Sequence, residues 1–115
     1  RFYTEVHAVG FASRQDFGQA AIIQAEDGVI QGQVNYPMIH RGSISESISL
    51  LLSEHYSNQK PPRILLVPTG LEEGLTQWLS DKRGSKVEIR VPKRGKLSKL
   101  RALADRNAET IGEVA

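Results

Sequence analysis

Lysine and arginine side chains concentrate in residues 82–106, and the chemistry that this residue type favours is the binding of anions. The stretch holds ten of the 15 Lys and Arg residues against two acids, Glu88 and Asp105, a local net charge of +8. Residues 1–81 hold five bases and nine acids, so the chain is polarised although its formal net charge is +2. Polyphosphate is the commonest partner of such a surface. The alternative is a solvated face that keeps the domain soluble.

One segment in this stretch has the features of a phosphate site. Residues 92–96 (PKRGK) precede a predicted helix whose first turn adds Lys99. A helix N-terminus presents unpaired N–H groups and a partial positive charge, so acids usually occupy it. Bases at this position favour a bound anion. The alternative is that Gly95 only relieves a turn and the lysines face water.

We therefore predict a surface that binds DNA or phosphate. Aromatic side chains are not interleaved with the bases, so contacts with the nucleic-acid backbone are expected rather than base stacking. The predicted site residues are Lys82, Arg83, Lys86, Arg90, Lys93, Arg94, Gly95, Lys96 and Lys99.

The acids and histidines do not form a convincing catalytic or metal site. Glu72 and Glu73 follow a predicted strand, but two-metal chemistry needs several converging carboxylates. The first strand offers only Glu5, at its start. We interpret Glu72 and Glu73 as first-turn glutamates that complement a helix dipole. The three histidines lack metal-ligand spacing and are interpreted as structural or exposed; they are His7, His40 and His55.

The first third of the chain predicts an antiparallel meander. Residues 5–12, 19–25 and 29–36 have strand character, and they are separated by a polar turn at residues 13–18 and an Asp27-Gly28 turn.

The remaining two thirds alternate between helix and strand. Ser43 and Glu46 form a capping box that opens a helix ending near Tyr56. Residues 63–68 form an apolar strand, and Thr69 with Glu72 predicts a second capping box. That second helix has Leu71, Leu75, Trp78 and Leu79 on its buried face and ends at Gly84. Residues 86–91 alternate as a strand, with Val87, Ile89 and Val91 inward. A last helix follows Gly95 and buries Leu97, Leu100, Ala104, Ala108 and Ile111.

The predicted order is β-β-β-α-β-α-β-α, an α/β arrangement with helices packed on a mixed sheet. A meander followed by two βα crossovers is typical of the ribonuclease H-like fold, although several mixed α/β folds accommodate the same order. Residues 1–115 are expected to form a single such domain. No apolar run approaches the ~20 residues of a membrane span. The absence of cysteine fits a reducing compartment such as the cytoplasm, and the start at Arg1 suggests a piece of a longer multidomain protein.

The segment 64–108 resembles the UvrC family of excinuclease proteins. The matching positions are Trp78-Leu79, Lys82-Arg83-Gly84, residues 87–92 (VEIRVP), Arg94-Gly95, Lys96, Ala104 and Asn107-Ala108. The segments VHAVGFA and QAAIIQAEDGVIQGQ resemble the strand pair that precedes this motif, so the resemblance covers nearly all of the chain.

The resemblance implies a part of the UvrABC excinuclease, which incises DNA on both sides of lesions in bacterial nucleotide excision repair. Family members carry a GIY-YIG nuclease module, a segment that contacts the excinuclease B subunit, and a C-terminal ribonuclease H-like nuclease. This chain resembles the part just before that nuclease, and His7 stands where the family often has Asp.

The family's catalytic motifs are missing from this chain, which implies a non-catalytic module without a cofactor of its own. The parent nuclease would need a divalent metal such as Mg²⁺. Implied partners are DNA, the neighbouring nuclease domain and, through the parent protein, the excinuclease B subunit. A domain- or subunit-docking scaffold is the alternative function, and a residual metal-dependent nuclease using Glu72 or Glu73 is a third.

Overall fold

The computed structural model describes residues 4–14, 17–39 and 42–114 and contains one five-stranded mixed sheet in the order β3-β2-β1-β4-β5. The first three strands pair antiparallel, and β4 and β5 add in parallel on the other side of β1. The predicted element order is confirmed. The strands are β1 (Glu5–Arg14), β2 (Phe17–Glu26), β3 (Val29–Ile39), β4 (Ile64–Leu66) and β5 (Glu88–Arg90), and the helices are α1 (Ile44–His55), α2 (Leu75–Arg83) and α3 (Lys96–Val114).

Of the two hairpin turns predicted in the meander, one is confirmed and the other is shorter than predicted. The Asp27-Gly28 turn is confirmed, with both residues at positive φ (51° and 83°), as a two-residue hairpin turn requires. The predicted turn at residues 13–18 is too long. Ser13 pairs with Gly18 and Arg14 with Phe17, because backbone pairing continues through polar side chains as readily as through apolar ones.

Helix α1 begins as its sequence predicts. The Ser43 hydroxyl accepts a hydrogen bond from the Glu46 N–H at 3.1 Å, and the Glu46 carboxylate accepts one from the Ser43 N–H at 3.3 Å. This capping box satisfies two N–H groups that would otherwise lack partners. The helix buries Ile48 and Leu52 and ends at His55, with Tyr56 as its C-cap.

Helix α2 begins later than predicted, and the Thr69–Glu72 capping box is wrong. The helix starts at Leu75, and its N-cap is Gly74 at φ 86° without a side-chain cap. The Glu72 N–H instead donates to the Ser49 hydroxyl of α1 at 2.8 Å. Because this tertiary hydrogen bond occupies the group that a Thr69 cap would need, the chain makes a turn before the helix.

The helices form layers on both faces of the sheet. Helices α1 and α2 cover one face, where the core includes Val9, Ile22, Ile48, Leu52, Tyr56, Leu65, Val67, Leu79 and Val87. Helix α3 covers the other face and packs on Ala8, Ile23 and Leu66 through its buried Ala104. The inward positions predicted for residues 87, 89 and 91 are confirmed by their packing against the first core. Within the described residues, no helix is long and apolar enough to cross a membrane.

Candidate nucleic-acid interface

The basic loop lies where the edge strand β5 leads into α3. Residues 93–96 are all exposed. Gly95 has a φ of 87° and its carbonyl accepts the Lys99 N–H at 3.1 Å, so Gly95 is the residue from which the helix starts. A left-handed backbone favours glycine, and the prediction that the last helix follows Gly95 is confirmed. The first turn of α3 contains no acid.

Four cations lie around the start of α3, two in the loop before it and two in its first turn. Within the part of the chain that the structure describes, these exposed side chains have no hydrogen bond or ion pair. They lie within seven consecutive residues around the start of a helix, whose N–H groups and dipole add to the positive potential. The four residues are Lys93, Arg94, Lys96 and Lys99.

Two of the other predicted site residues have structural partners. The Arg83 guanidinium donates to the Pro61 carbonyl at 2.8 Å and pairs with the Glu5 carboxylate at 2.6 Å, and its side chain is only 15% exposed. Lys82 Nζ donates to the Ser57 carbonyl at 2.9 Å and lies 5.7 Å from the centre of the Trp78 ring. These contacts tie α2 to the loop that follows α1 and to the first strand.

Of the last two predicted site residues, Arg90 ends β5 and Lys86 precedes it. Arg90 forms an ion pair with Glu88, and the hydrogen bond from Arg90 lowers the pKa of the Glu88 carboxyl. Lys86 is exposed, but it lies before β5, at the end opposite the loop. Lys93, Arg94, Gly95, Lys96 and Lys99 therefore lie around the start of α3, whereas three of the other predicted residues have intramolecular partners and Lys86 lies at the far end of β5.

Arg101, a further member of the basic stretch, serves the fold. Strand β1 pairs with β4 only from Val6 to Ala8, which leaves the β4 side of its second half without a strand partner. There Arg101 donates to the Val9 carbonyl at 3.1 Å and Asp105 accepts the Phe11 N–H at 3.0 Å, while the two side chains also pair with each other. Side chains of α3 thereby provide hydrogen-bond partners for backbone groups on the open edge of β1.

Glu72 and Glu73 do not lie in a first turn as predicted, because α2 begins after them. Both are exposed, and no group of three or more acids or histidines suited to a metal ion occurs among the residues described.

Two of the histidines belong to one buried network, a feature that the sequence analysis missed. His7 Nδ1 shares a hydrogen bond with the Tyr56 hydroxyl at 2.6 Å, and His55 Nδ1 shares one with the Tyr36 hydroxyl at 2.5 Å. The His55 ring also packs edge-on against Tyr56, at 4.6 Å between ring centres. The histidines were interpreted as structural or exposed; His7 and His55 are hydrogen-bonded to tyrosines, and His40 lies outside the described residues. The sequence feature that could have predicted this network is the position of both histidines on the apolar faces of β1 and α1.

Burial keeps this network uncharged. It lowers the pKa of His7 to about 4, with repulsion from His55 as a second cause, and it also lowers the pKa of His55. Burial raises the pKa of Tyr56 far above its ordinary value. Position 7 of β1 therefore holds a neutral imidazole with a tyrosine partner.

The low pKa of His7 predicts a loss of stability in acid. The unfolded chain takes up a proton near pH 6.5 and the folded one only near pH 4. The neutral His7 ring therefore contributes fully to the free energy of unfolding above pH 6.5. That contribution is lost as the pH falls toward 4, and the loss is about 2 kcal/mol for this half-buried group. His7→Gln should reduce the difference between the unfolding free energies at pH 7 and pH 4.5 by that amount. Equal differences in urea titrations of the two proteins would contradict this interpretation.

The sheet order, the three helices and their layers define an α/β domain of the ribonuclease H-like class. The family model described as "UvrC Ribonuclease H-like domain" matches residues 6–113, and the chain belongs to this family. The match covers the ribonuclease H-like domain itself, so the expected position just before that domain is wrong.

Several relatives carry the name "UvrABC system protein C". The chain is 33% identical to one from Thermus thermophilus over 114 residues, which are 93% of this chain and 19% of the relative. It is 38% identical to the one from Syntrophotalea carbinolica over 95 residues, 79% of this chain and 15% of the relative. It is 30% identical to the one from Methanosarcina barkeri over 101 residues, 88% of this chain and 19% of the relative. The chain thus spans less than a fifth of the length of these relatives.

Proposed function

We propose that this chain is a non-catalytic module that binds the DNA backbone and positions it within a UvrABC excinuclease during nucleotide excision repair. The observation that carries the proposal is the group of four exposed, unpaired cations at the start of α3. Membership of the UvrC ribonuclease H-like domain family and the relatives named UvrABC system protein C support the repair context.

The chemistry of the loop favours phosphate over base contacts. Its side chains are lysine and arginine, without an aromatic residue in residues 92–99 on which a base could stack. Charge contacts of this kind give affinity and orientation without sequence preference. The module would hold DNA of any sequence, as incision around lesions in varied sequence contexts requires.

The non-catalytic part of the proposal rests on the first strand. Glu5 is engaged with Arg83, and His7 is neutral and hydrogen-bonded to Tyr56. In the longer protein we expect a divalent metal, such as Mg²⁺, to be held by residues outside this chain. The excinuclease B subunit would be reached through other parts of that protein, in the cytoplasm.

The proposal predicts weak binding of duplex DNA that depends steeply on salt. We expect a Kd of roughly 10⁻⁴–10⁻⁶ M and, for about four phosphates engaged, a slope of about −3.6 in a plot of log K against log salt concentration. Fluorescence anisotropy with labelled duplexes of two unrelated sequences measures both quantities. An affinity that is independent of salt, or undetectable at ~50 mM salt, would favour the alternative, a docking scaffold for an acidic protein surface.

A further inference from the structure

The face opposite α3 carries a groove that the proposed DNA contact does not use. It lies between α1 and the start of α2, with a volume of about 920 Å³. Its apolar walls are Leu50 of α1, Leu75 and Trp78 of α2, and Met38 of β3. Leu50 is 61% exposed, and Trp78, which its sequence position assigned to the core, is only half-buried. The groove is therefore an open apolar surface rather than a filled core.

The segment that precedes α2 lines this groove, and two hydrogen bonds hold that segment in place. The Ser45 hydroxyl of α1 donates to the Gly70 carbonyl at 2.7 Å, and the Ser49 hydroxyl accepts the Glu72 N–H at 2.8 Å. Both bonds fasten the segment before α2 to α1. A surface that is held in shape before binding avoids part of the entropy cost of association.

The rim of the groove is acidic. Glu46, Glu72 and Glu73 line it, and no lysine or arginine is found among the described residues that form its lining. In a chain of net charge +2, whose bases concentrate in residues 82–106, this is a local reversal of sign. Phosphate groups would be repelled here, whereas a cationic segment with apolar side chains would match both the rim and the walls.

We propose that this groove docks a basic amphipathic helix of a protein partner. Most of the apolar wall comes from two helices, and an occupant that inserts side chains at i, i+3 and i+4 between them fits such a groove. Its apolar residues would contact Leu50, Leu75 and Trp78, and its lysines or arginines would face Glu72 and Glu73. The docking surface is separate from the cationic loop at the start of α3, so the module would hold DNA and protein at two different surfaces.

Trp78 provides a direct probe, since it is the only tryptophan of the chain. The test ligand is a peptide of about 14 residues, four helical turns, made of leucine and lysine in amphipathic order. It should shift the Trp78 emission to shorter wavelength in a saturable titration. The same peptide with glutamate in place of every lysine should give no shift. A shift with both peptides, or with neither, would overturn the proposal.

Matched variants locate the contact. Leu50→Ser should weaken peptide binding at least about tenfold, whereas Val29→Ser, at an equally exposed apolar residue (60% against 61%), should leave it unchanged. Glu72→Gln with Glu73→Gln should weaken it by a similar factor, and Glu26→Gln with Glu54→Gln, which are exposed acids outside the groove, should not. Equal loss in test and control variants would contradict the assignment. So would sedimentation that reveals a dimer of this chain which Leu50→Ser dissociates, because a second copy would then be the occupant.

Discussion

Replacing Gly10 by alanine is expected to destabilise the folded chain by about 3 kcal/mol. A Cβ atom at this position would lie 2.0 Å from the carbonyl carbon of Ala104 and 2.3 Å from the backbone nitrogen of Asp105. Backbone atoms of a helix cannot move aside singly. The added methyl group therefore has to displace α3 from the sheet.

The displacement would also break the contacts on both sides of Gly10. The bond from Arg101 to the Val9 carbonyl and the bond from the Phe11 N–H to Asp105 both depend on this close approach. Their loss would leave backbone groups of β1 unpaired.

The matched control for this change is Gly32→Ala on β3. A Cβ atom there would meet only Gln24 Oε1 at 3.1 Å, the far end of a flexible side chain. We expect a change of less than about 0.5 kcal/mol in the free energy of unfolding for this variant. Urea titrations followed by circular dichroism measure both values. A Gly10→Ala variant as stable as Gly32→Ala would show that α3 does not cross β1 at Gly10.

The sequence predicted those parts of the fold that local patterns encode. The Ser43–Glu46 capping box, the Asp27-Gly28 turn and the alternation around Ile89 each depend on residues a few positions apart, and each is confirmed. The buried position of Ala104 follows from helical spacing alone. The element order, and with it the fold class, follows from these local signals.

The features that the sequence could not predict depend on contacts between distant residues. Helix α2 starts late because Ser49, more than 20 residues earlier in the chain, takes the Glu72 N–H. The need for glycine at position 10 depends on where α3 crosses the sheet. His7 and His55 belong to one network because Tyr56, the C-cap of α1 next to His55, packs against the His7 ring.

In the candidate site, too, local patterns were predictable and contacts between distant residues were not. Counting charges treats every base of residues 82–106 alike, but Arg83 pairs with Glu5 and Arg101 with Asp105. Desolvated or paired bases of this kind hold the molecule together and have few donors left for a ligand. The helix start at Gly95 was predictable, and four exposed cations without partners among the described residues lie around it.

Replacing Arg94 and Lys96 together by alanine is expected to weaken the binding of duplex DNA on the order of a hundredfold at ~50 mM salt. Loss of two of about four phosphate contacts should also halve the salt slope, from about −3.6 to about −1.8. Both side chains are exposed and without partners in the described structure, so the free energy of unfolding should change by less than about 0.5 kcal/mol.

The control variant also removes one lysine and one arginine charge, but at the other end of the parallel strands β4 and β5. Lys60 and Arg63 are exposed and precede β4, whereas the cationic loop follows β5, which runs parallel to β4. An effect of net charge alone would weaken binding equally in both double variants. An effect of a defined phosphate site would appear only in the first.

The measurement that tests the central claim most directly is the Kd of one labelled duplex for the unmodified chain and the two double variants, each between about 50 and 200 mM salt. We expect Lys60→Ala with Arg63→Ala to bind within about twofold of the unmodified chain, with an unchanged salt slope. Arg94→Ala with Lys96→Ala should lose most of the affinity and about half of the slope. Equal affinities and equal slopes for the two variants would contradict the assignment of DNA binding to the start of α3.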